Sequence, residues 1–368
     1  MEGNDCRSET GVSKAMSTLA TNAITDASGG NTASINTFTP TVSNMAGRNR
    51  IINGDMRISQ RGTSFSGLTN GDTQYTIDRW RWAESGTFTG VVTITQESSA
   101  PTGFASSLKV QTTTAVVSLA DNESNRLEQF IEGFNSADFS WGTADAKPVT
   151  LSFWVRSSLT GTFGGALVNS SVDRSYAFTY TISSADTWEY KTITFAGDTE
   201  GTWLTDSGVG IRVRFGLGCG SNFNGTAGAW ASADYQSAIG ATSVVDTSGA
   251  TFYITGVQLE AGSVATPFEN VDYGEMLRRC QRYFQIANMC CSDYGPAGYG
   301  TEQRTPFVTE MRASPTAAQG STGSTSHFNS SSNTLTVADL RHAYASATSS
   351  STGSYSSRFL NWQFSAEL

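Results

Sequence analysis

The chain has 368 residues, of which 15% are charged, and 37 glycines against 7 prolines; that length accommodates two or three domains, and 38% hydrophobic residues argue against general disorder. A formal net charge of −9 argues against a general nucleic-acid binder, which would show a basic field. Five cysteines without regular spacing or a CxxC pair argue against a disulfide framework and against a zinc site.

Residues 1–48 are polar and carry one helical pattern. Val12, Ala15, Met16, Leu19, Ala20 and Ala23 form a continuous stripe. So short a helix is marginal alone, so the stripe wants a partner, either copies of itself or a docking surface; the alternative is a loosely ordered tail. Turn chemistry follows at 26–31 and 39–41. The first residues lack the apolar run of a signal peptide, and no run of about 18 apolar residues occurs, so synthesis in a reducing cytoplasm without membrane insertion is expected.

Residues 49–270 alternate in short runs separated by Gly, Asn, Asp and Ser. Val149, Leu151, Phe153 and Val155 share one parity, as do Tyr176, Phe178, Tyr180 and Ile182, and Ile211, Val213, Phe215 and Leu217. Half-buried strands with turns between them and no βαβ rhythm predict a mainly β, antiparallel sandwich. Residues 271–285 predict a helix: Asp272 precedes Glu275 as in a capping box, and Met276, Leu277, Cys280, Tyr283 and Phe284 line one face. Arg278, Arg279 and Arg282 then form a solvated or ion-paired face. In residues 286–368, strand-like fragments at 306–311, 334–337 and 357–364 predict a small C-terminal β domain, with polar loops at 320–326 and 346–354.

Catalytic chemistry has little support. Asp72, Asp78 and Glu84, or Asp121, Glu123 and Glu128, could pair about a sugar, but turn or strand-rim acids explain them more simply. A hydrolase triad has still less support, since the two histidines, His327 and His342, both lie in the C-terminal zone, and residues 216–220 lack the Lys and helix of a phosphate loop. Sugar binding needs aromatic faces with planar polar groups beside them. Trp154 and Arg156 have the parity opposite to the predicted core, as do Arg212 and Arg214, so they stand on outer faces, where Trp154 either meets ligand or covers that face against a neighbouring loop or subunit. Trp230, Tyr235 and Trp203 lie in Gly- and Ser-rich loops; Trp80 and Trp82 read as core. In the C-terminal domain Tyr344, Tyr355, Trp362 and the histidines are open candidates. No cofactor is required, although Asn53, Asp55 and Asp78 could offer oxygens to a structural calcium ion; their spacing matches no known calcium loop.

Four stretches resemble one family. Asn49-Arg-Ile-Ile-Asn-Gly-Asp-Met-Arg-Ile-Ser-Gln-Arg61 with Tyr75-Thr-Ile-Asp-Arg-Trp80 is similar to the opening of a sandwich module of bacteriophage tail fibres. Thr251-Phe-Tyr-Ile-Thr-Gly-Val-Gln-Leu-Glu260, continued through Gly274-Glu-Met-Leu-Arg-Arg-Cys-Gln-Arg-Tyr-Phe284, is similar to its close. Residues 28–36 resemble the connector before that module, and residues 306–316 the first strand of the region after it. The resemblance implies a jelly-roll sandwich similar to carbohydrate-binding modules, in a trimeric virion structural protein that binds host-surface polysaccharide without catalysis. Residues 1–48 would then join it to tail or baseplate proteins, with a short fibre or tip as the whole. A head-decorating fibre or cement protein, and a polysaccharide-degrading tailspike, are the alternatives.

Overall fold

Period-two alternation, broken by glycine and asparagine turns, dictates strands through most of the chain. The computed structural model describes residues 47–116, 118–298, 300–318, 321–322, 334–337, 339–348 and 353–368, all in the unit Ala46–Leu368. The stripe at 12–23, the turns and connector before residue 47, and His327 lie outside the described residues.

Fifteen strands precede the helix among the described residues. They begin with β1 (Ser64–Leu68), β2 (Gln74–Tyr75), β3 (Arg81–Ser85), β4 (Val91–Glu97) and β5 (Ser107–Thr114). Next come β6 (Ser124–Glu132), β7 (Val149–Ser157), β8 (Gly161–Val168), β9 (Ser175–Ile182), β10 (Glu189–Phe195) and β11 (Val209–Cys219). The short β12 (Asn224–Gly225), β13 (Trp230–Ala231) and β14 (Ser237–Ala238) lead to β15 (Thr251–Ala261). One sheet has the order β1-β4-β5-β15-β7-β10 and the other β13-β9-β8-β11-β6-β3-β2, both antiparallel. The three predicted alternating sets all point inward: Phe153, Phe178 and Phe215 pack edge to face or tilted in a core with Trp80 and Trp82. Each such aromatic or aliphatic side chain, fully buried, contributes about 1.5–3 kcal/mol.

The opening and closing stretches, some two hundred residues apart, meet in space. Asn49 donates from Nδ2 to the Val257 carbonyl and accepts at Oδ1 from the amides of Ile51 and Leu259. Val257 in turn donates to the Gly54 carbonyl, and Trp80 Nε1 donates to that of Asn53. A polar side chain buried this way must satisfy its hydrogen bonds locally, which pins both segments.

The helix α1 (Tyr273–Gln281) is shorter than the expected 271–285. Asp272 caps it, accepting from the amides of Gly274 and Glu275. The expected return bond of a capping box is replaced, because Glu275 pairs with Arg278 and Arg279. Met276 and Cys280 are buried as predicted. Tyr283 and Phe284 are buried too, but beyond the helix, Tyr283 in the turn that follows it and Phe284 at the start of a strand.

Seven strands follow: β16 (Phe284–Gly295), β17 (Gly300–Pro306), β18 (Thr316–Ala318), β19 (Ser321–Thr322), β20 (Thr334–Val337), β21 (His342–Thr348) and β22 (Gly353–Ser365). β16, β22, β18 and β19 form one sheet and β17, β21 and β20 another, over a small core of Met311, Ala343, Trp362 and Phe364. The fragments at 334–337 and 357–364 are strands as expected. Residues 307–311 are not: Pro306 ends β17, and Phe307 and Met311 bond irregularly to the Arg341 and Leu340 carbonyls. The strand β16 had no alternating signal, since its residues mix small and polar types on both faces. Part of the expected loop at 320–326 pairs as β19, and residues 346–348 extend β21.

Buried ions tie this region to the sandwich. Arg79, 1% exposed, pairs with Glu367 and lies 3.6 Å above the Tyr283 ring. Tyr283 Oη and Arg282 both donate to Glu132, at 2.7 and 2.6 Å. Arg61 lies 3.6 Å above Phe284 and pairs with Glu367 at 3.0 Å. The residues beside Asp78 and around Arg282 therefore build a joint. No described helix is long and apolar enough to cross a membrane.

Candidate functional site

The two sheets have outer faces of opposite character. On the six-stranded sheet, Trp154 and Arg156 point outward from β7, as their parity predicts. Register places Tyr190 and Thr255 on either side of Trp154, and Tyr253 beside Arg156, with Lys109 one strand further. Trp154 packs against Tyr190 with ring centroids 5.4 Å apart, and Tyr190 is 44% exposed. The Arg156 guanidinium sits 3.9 Å from the Tyr253 ring and 5.4 Å from that of Trp188, itself edge-on to Tyr253. Lys109 is 6.0 Å from Tyr253 and pairs with Glu97 at 2.9 Å. All these rings and cations are half-buried or exposed.

A bulge in β15 shapes the surface. Pairing with β7 slips between Thr255 and Gln258, and Gly256 there has φ +61. A Cβ at Gly256 would stand 2.6 Å from the Phe104 ring and 3.1 Å from that of Trp154. Only glycine both adopts this backbone and admits the two rings beside it. The face thus offers planar apolar surface flanked by cationic donors and a carboxylate, the set that stacks on a sugar ring while bonding its hydroxyls. Tyr190, Trp188, Tyr253 and Lys109 were not singled out from sequence. Tyr253 could have been, since it alternates with the buried Phe252 and Ile254.

On the seven-stranded sheet, Arg212 and Arg214 also point outward, but the face is closed. Arg214 is 2% exposed and pairs with Glu128 at 3.0 Å and Asp234 at 2.6 Å. Arg81 and Arg126 converge on the same carboxylate. Burial alone would raise the Glu128 carboxyl, but the guanidiniums of Arg126, Arg214 and Arg81 hold it down at about 2. Arg212 donates to the carbonyls of Asn169 and Ser170 and stacks 4.7 Å from Phe130. Arg214 is thus taken up by fold contacts instead of standing open, while Arg212 is half-buried and held by the turn at 169–170.

Trp230 is half-buried, donates from Nε1 to the Ala196 carbonyl and meets Trp141, Trp203 and Tyr176 edge-on. Tyr235 packs on Gly225 and its amide donates to Ser175. Both are half-buried with fold partners, less open than the exposed loop aromatics that were expected. In the C-terminal region Trp362 is in the core, Arg304 stacks 4.5 Å from Tyr344, and His342 faces Asp339. The Tyr355 side chain lies outside the described residues.

The weighed carboxylates have fold partners. Asp72 accepts from the Thr69 amide, Glu84 from that of Gly71, Asp121 from Ser221, and Glu123 from Ala120. The calcium candidates are likewise engaged: Asn53 Oδ1 accepts from Ile58, Asp55 pairs with Arg57, and Asp78 takes both the amide and Nε2 of Gln60.

No family model and no curated protein matches the chain. Among solved structures it is similar to the enzymatically active domain of bacteriophage CBA120 tailspike protein 4, with 13% identity, TM-score 0.32, and coverage of 58% of this chain and 21% of that one. It therefore spans about a fifth of the tailspike chain. A family 11 carbohydrate-binding module from Clostridium thermocellum matches at 9% identity and TM-score 0.28, over 56% of this chain and 99% of that one. A CBM22 tandem domain from Paenibacillus barcinonensis matches at 8% identity and TM-score 0.25, over 83% and 98%. Identities this low leave the site to be read from this chain's own side chains.

Proposed function

We propose that this protein binds glycan, without catalysis, through the outer face of the six-stranded sheet. One observation carries the reading: Trp154, Tyr190, Trp188 and Tyr253 gather on one accessible surface with Arg156 and Lys109 among them. The carboxylates weighed for catalysis support binding over hydrolysis, because each is held by fold contacts. The resemblance of residues 49–61, 75–80 and 251–284 to tail-fibre modules supports a setting in a phage virion, as a fibre protein that attaches to the host surface. In that setting three copies of the chain associate, and residues 1–48 join the fibre to tail or baseplate proteins. Weak single sites then act together by avidity.

Affinity electrophoresis through gels containing bacterial surface polysaccharides tests the binding. Retardation that Trp154→Ala abolishes is the expected result; unchanged mobility in every polysaccharide, from folded protein, overturns it. Light scattering that finds a stable monomer at micromolar concentration would overturn the trimer. Release of new reducing ends would overturn the absence of catalysis.

A further inference from the structure

Four arginines surround a second cleft, away from the aromatic face. We propose that this cleft, between the sandwich rim and α1, is an anion site that takes a sugar unit bearing a carboxylate or a phosphate. Arg50, Arg278, Arg279 and Arg282 line it with Asn135 and Thr309, and its volume is about 340 Å³. That is at the small end of ligand pockets, which run from about 300 to 1,000 Å³.

The charges do not cancel. Asp138 pairs with Arg50, Glu132 with Arg282, and Glu275 alone serves both Arg278 and Arg279. Four guanidiniums thus face three carboxylates, in a protein whose net charge is −9. Donors are also left over. Arg279 reaches Glu275 through Nε alone, and Arg50 Nε is buried without a partner although its Nη2 holds Asp138. A buried, unsatisfied donor is costly.

The joint itself does not require all four. Arg282 ties the helix end to the sandwich through Glu132, but Arg278 and Arg279 pair only within their own helix. Planar guanidiniums with free edges suit two-pronged recognition of carboxylate or phosphate oxygens. Asn135, exposed, and Thr309, half-buried, add rim groups of the kind that bond sugar hydroxyls.

The test is calorimetric titration of the full chain at low salt with glucuronate and with glucose 6-phosphate, using glucose as the neutral reference. Saturation by one or both charged sugars, with none by glucose, is expected, and which one saturates tells carboxylate from phosphate. Arg279→Gln should weaken binding about tenfold, as expected for loss of charge-assisted hydrogen bonds, at unchanged melting temperature. Arg50→Gln should do the same from the inner wall. Binding that glucose matches, binding that neither arginine change weakens, or no saturation by either anion overturns the site. Trp154→Ala should leave this binding intact; if it abolishes it, the anion sits on the aromatic face and the cleft assignment fails.

Discussion

The two outer faces of the sandwich carry the same kind of sequence and do opposite things. Trp154 and Arg156 on β7, and Arg212 and Arg214 on β11, all alternate with core residues and all point away from the core. The first pair stays accessible among other aromatics. In the second pair Arg214 lies beneath chain, since Asp234 reaches it and β14 lies over the sheet near Gly164 and Gly216, while Arg212 is half-buried against the turn at 169–170. Alternation decides which face a side chain occupies, but only the path of a loop between strands decides whether that face meets water. An arginine on a covered face becomes part of a charge cluster, and on an open face it remains a donor.

The covered face is the more fragile under mutation. Glu128→Ala would leave Arg81 and Arg126 around a buried site without their carboxylate and Arg214 with Asp234 alone, at a cost of about 3–5 kcal/mol in chemical denaturation. The same group sets an acid dependence. Its carboxyl is held at about 2, below the ordinary 4.5, because Arg126, Arg214 and Arg81 outweigh its burial. The stability it contributes is therefore full above pH 4.5 and is lost as pH falls toward 2. Glu128→Gln should flatten that slope, and an unchanged acid profile would show the cluster to be weakly coupled.

Gly216→Val tests what covers the face. A Cβ there would stand 2.7 Å from Ser237 Cβ and 3.0 Å from the Gln236 carbonyl, so the loop must lift. Overpacking of this kind costs about 1–3 kcal/mol, and hydrogen exchange should show the amides around residues 236–238 opening with it. Exchange unchanged at 236–238 would mean that the loop does not rest on the sheet.

Much of this was legible in the sequence, and the failures have physical causes. The inward sets, the buried Trp80 and Trp82, the Asp272 cap and the outward Trp154 all follow from local periodicity, which the chain obeys. The closed fate of Arg214 does not, because it depends on residues 234–238 crossing the sheet, and Arg212 is held instead by the turn at 169–170. A signal was present: Gly164, Gly165, Gly216 and Gly218 sit inside strands, where glycine marks close backbone approach. The strand β16 was hidden because it lacks a clean apolar face. Tyr190 and Trp188 were missed because their closeness to Trp154 and Arg156 is set by register between strands, which one sequence does not display.

On the open face the effect should fall on binding. Trp154→Ala removes the centre of the platform and strips Tyr190 of its partner, which should weaken polysaccharide binding by about 10-fold to 100-fold, equivalent to about 1.4–2.8 kcal/mol. Its stability cost should be smaller than that of Glu128→Ala, since Trp154 is only half-buried. If Trp154→Ala unfolds the protein as readily as Glu128→Ala, the two faces are alike and the platform is a covered surface in the assembled protein.

Arg156 gives the finest separation. Its guanidinium stacks on Tyr253 at 3.9 Å and reaches Trp188 at 5.4 Å, while Nε is buried without a partner. A half-exposed cation over rings contributes about 0.5–1 kcal/mol, so Arg156→Ala should lower stability by no more than that. Arg156→Lys keeps the charge and loses the planar stack. If the role is to hold Tyr253 and Trp188 in place, Lys should resemble Ala in stability, and a double-mutant cycle with Tyr253→Leu should show coupling. If the role is to donate to glycan, Lys should keep part of the binding that Ala loses, with little change in stability. An arginine with neither response would resemble Arg214 in direction alone, and the contrast between the faces would then lie in the aromatic rings.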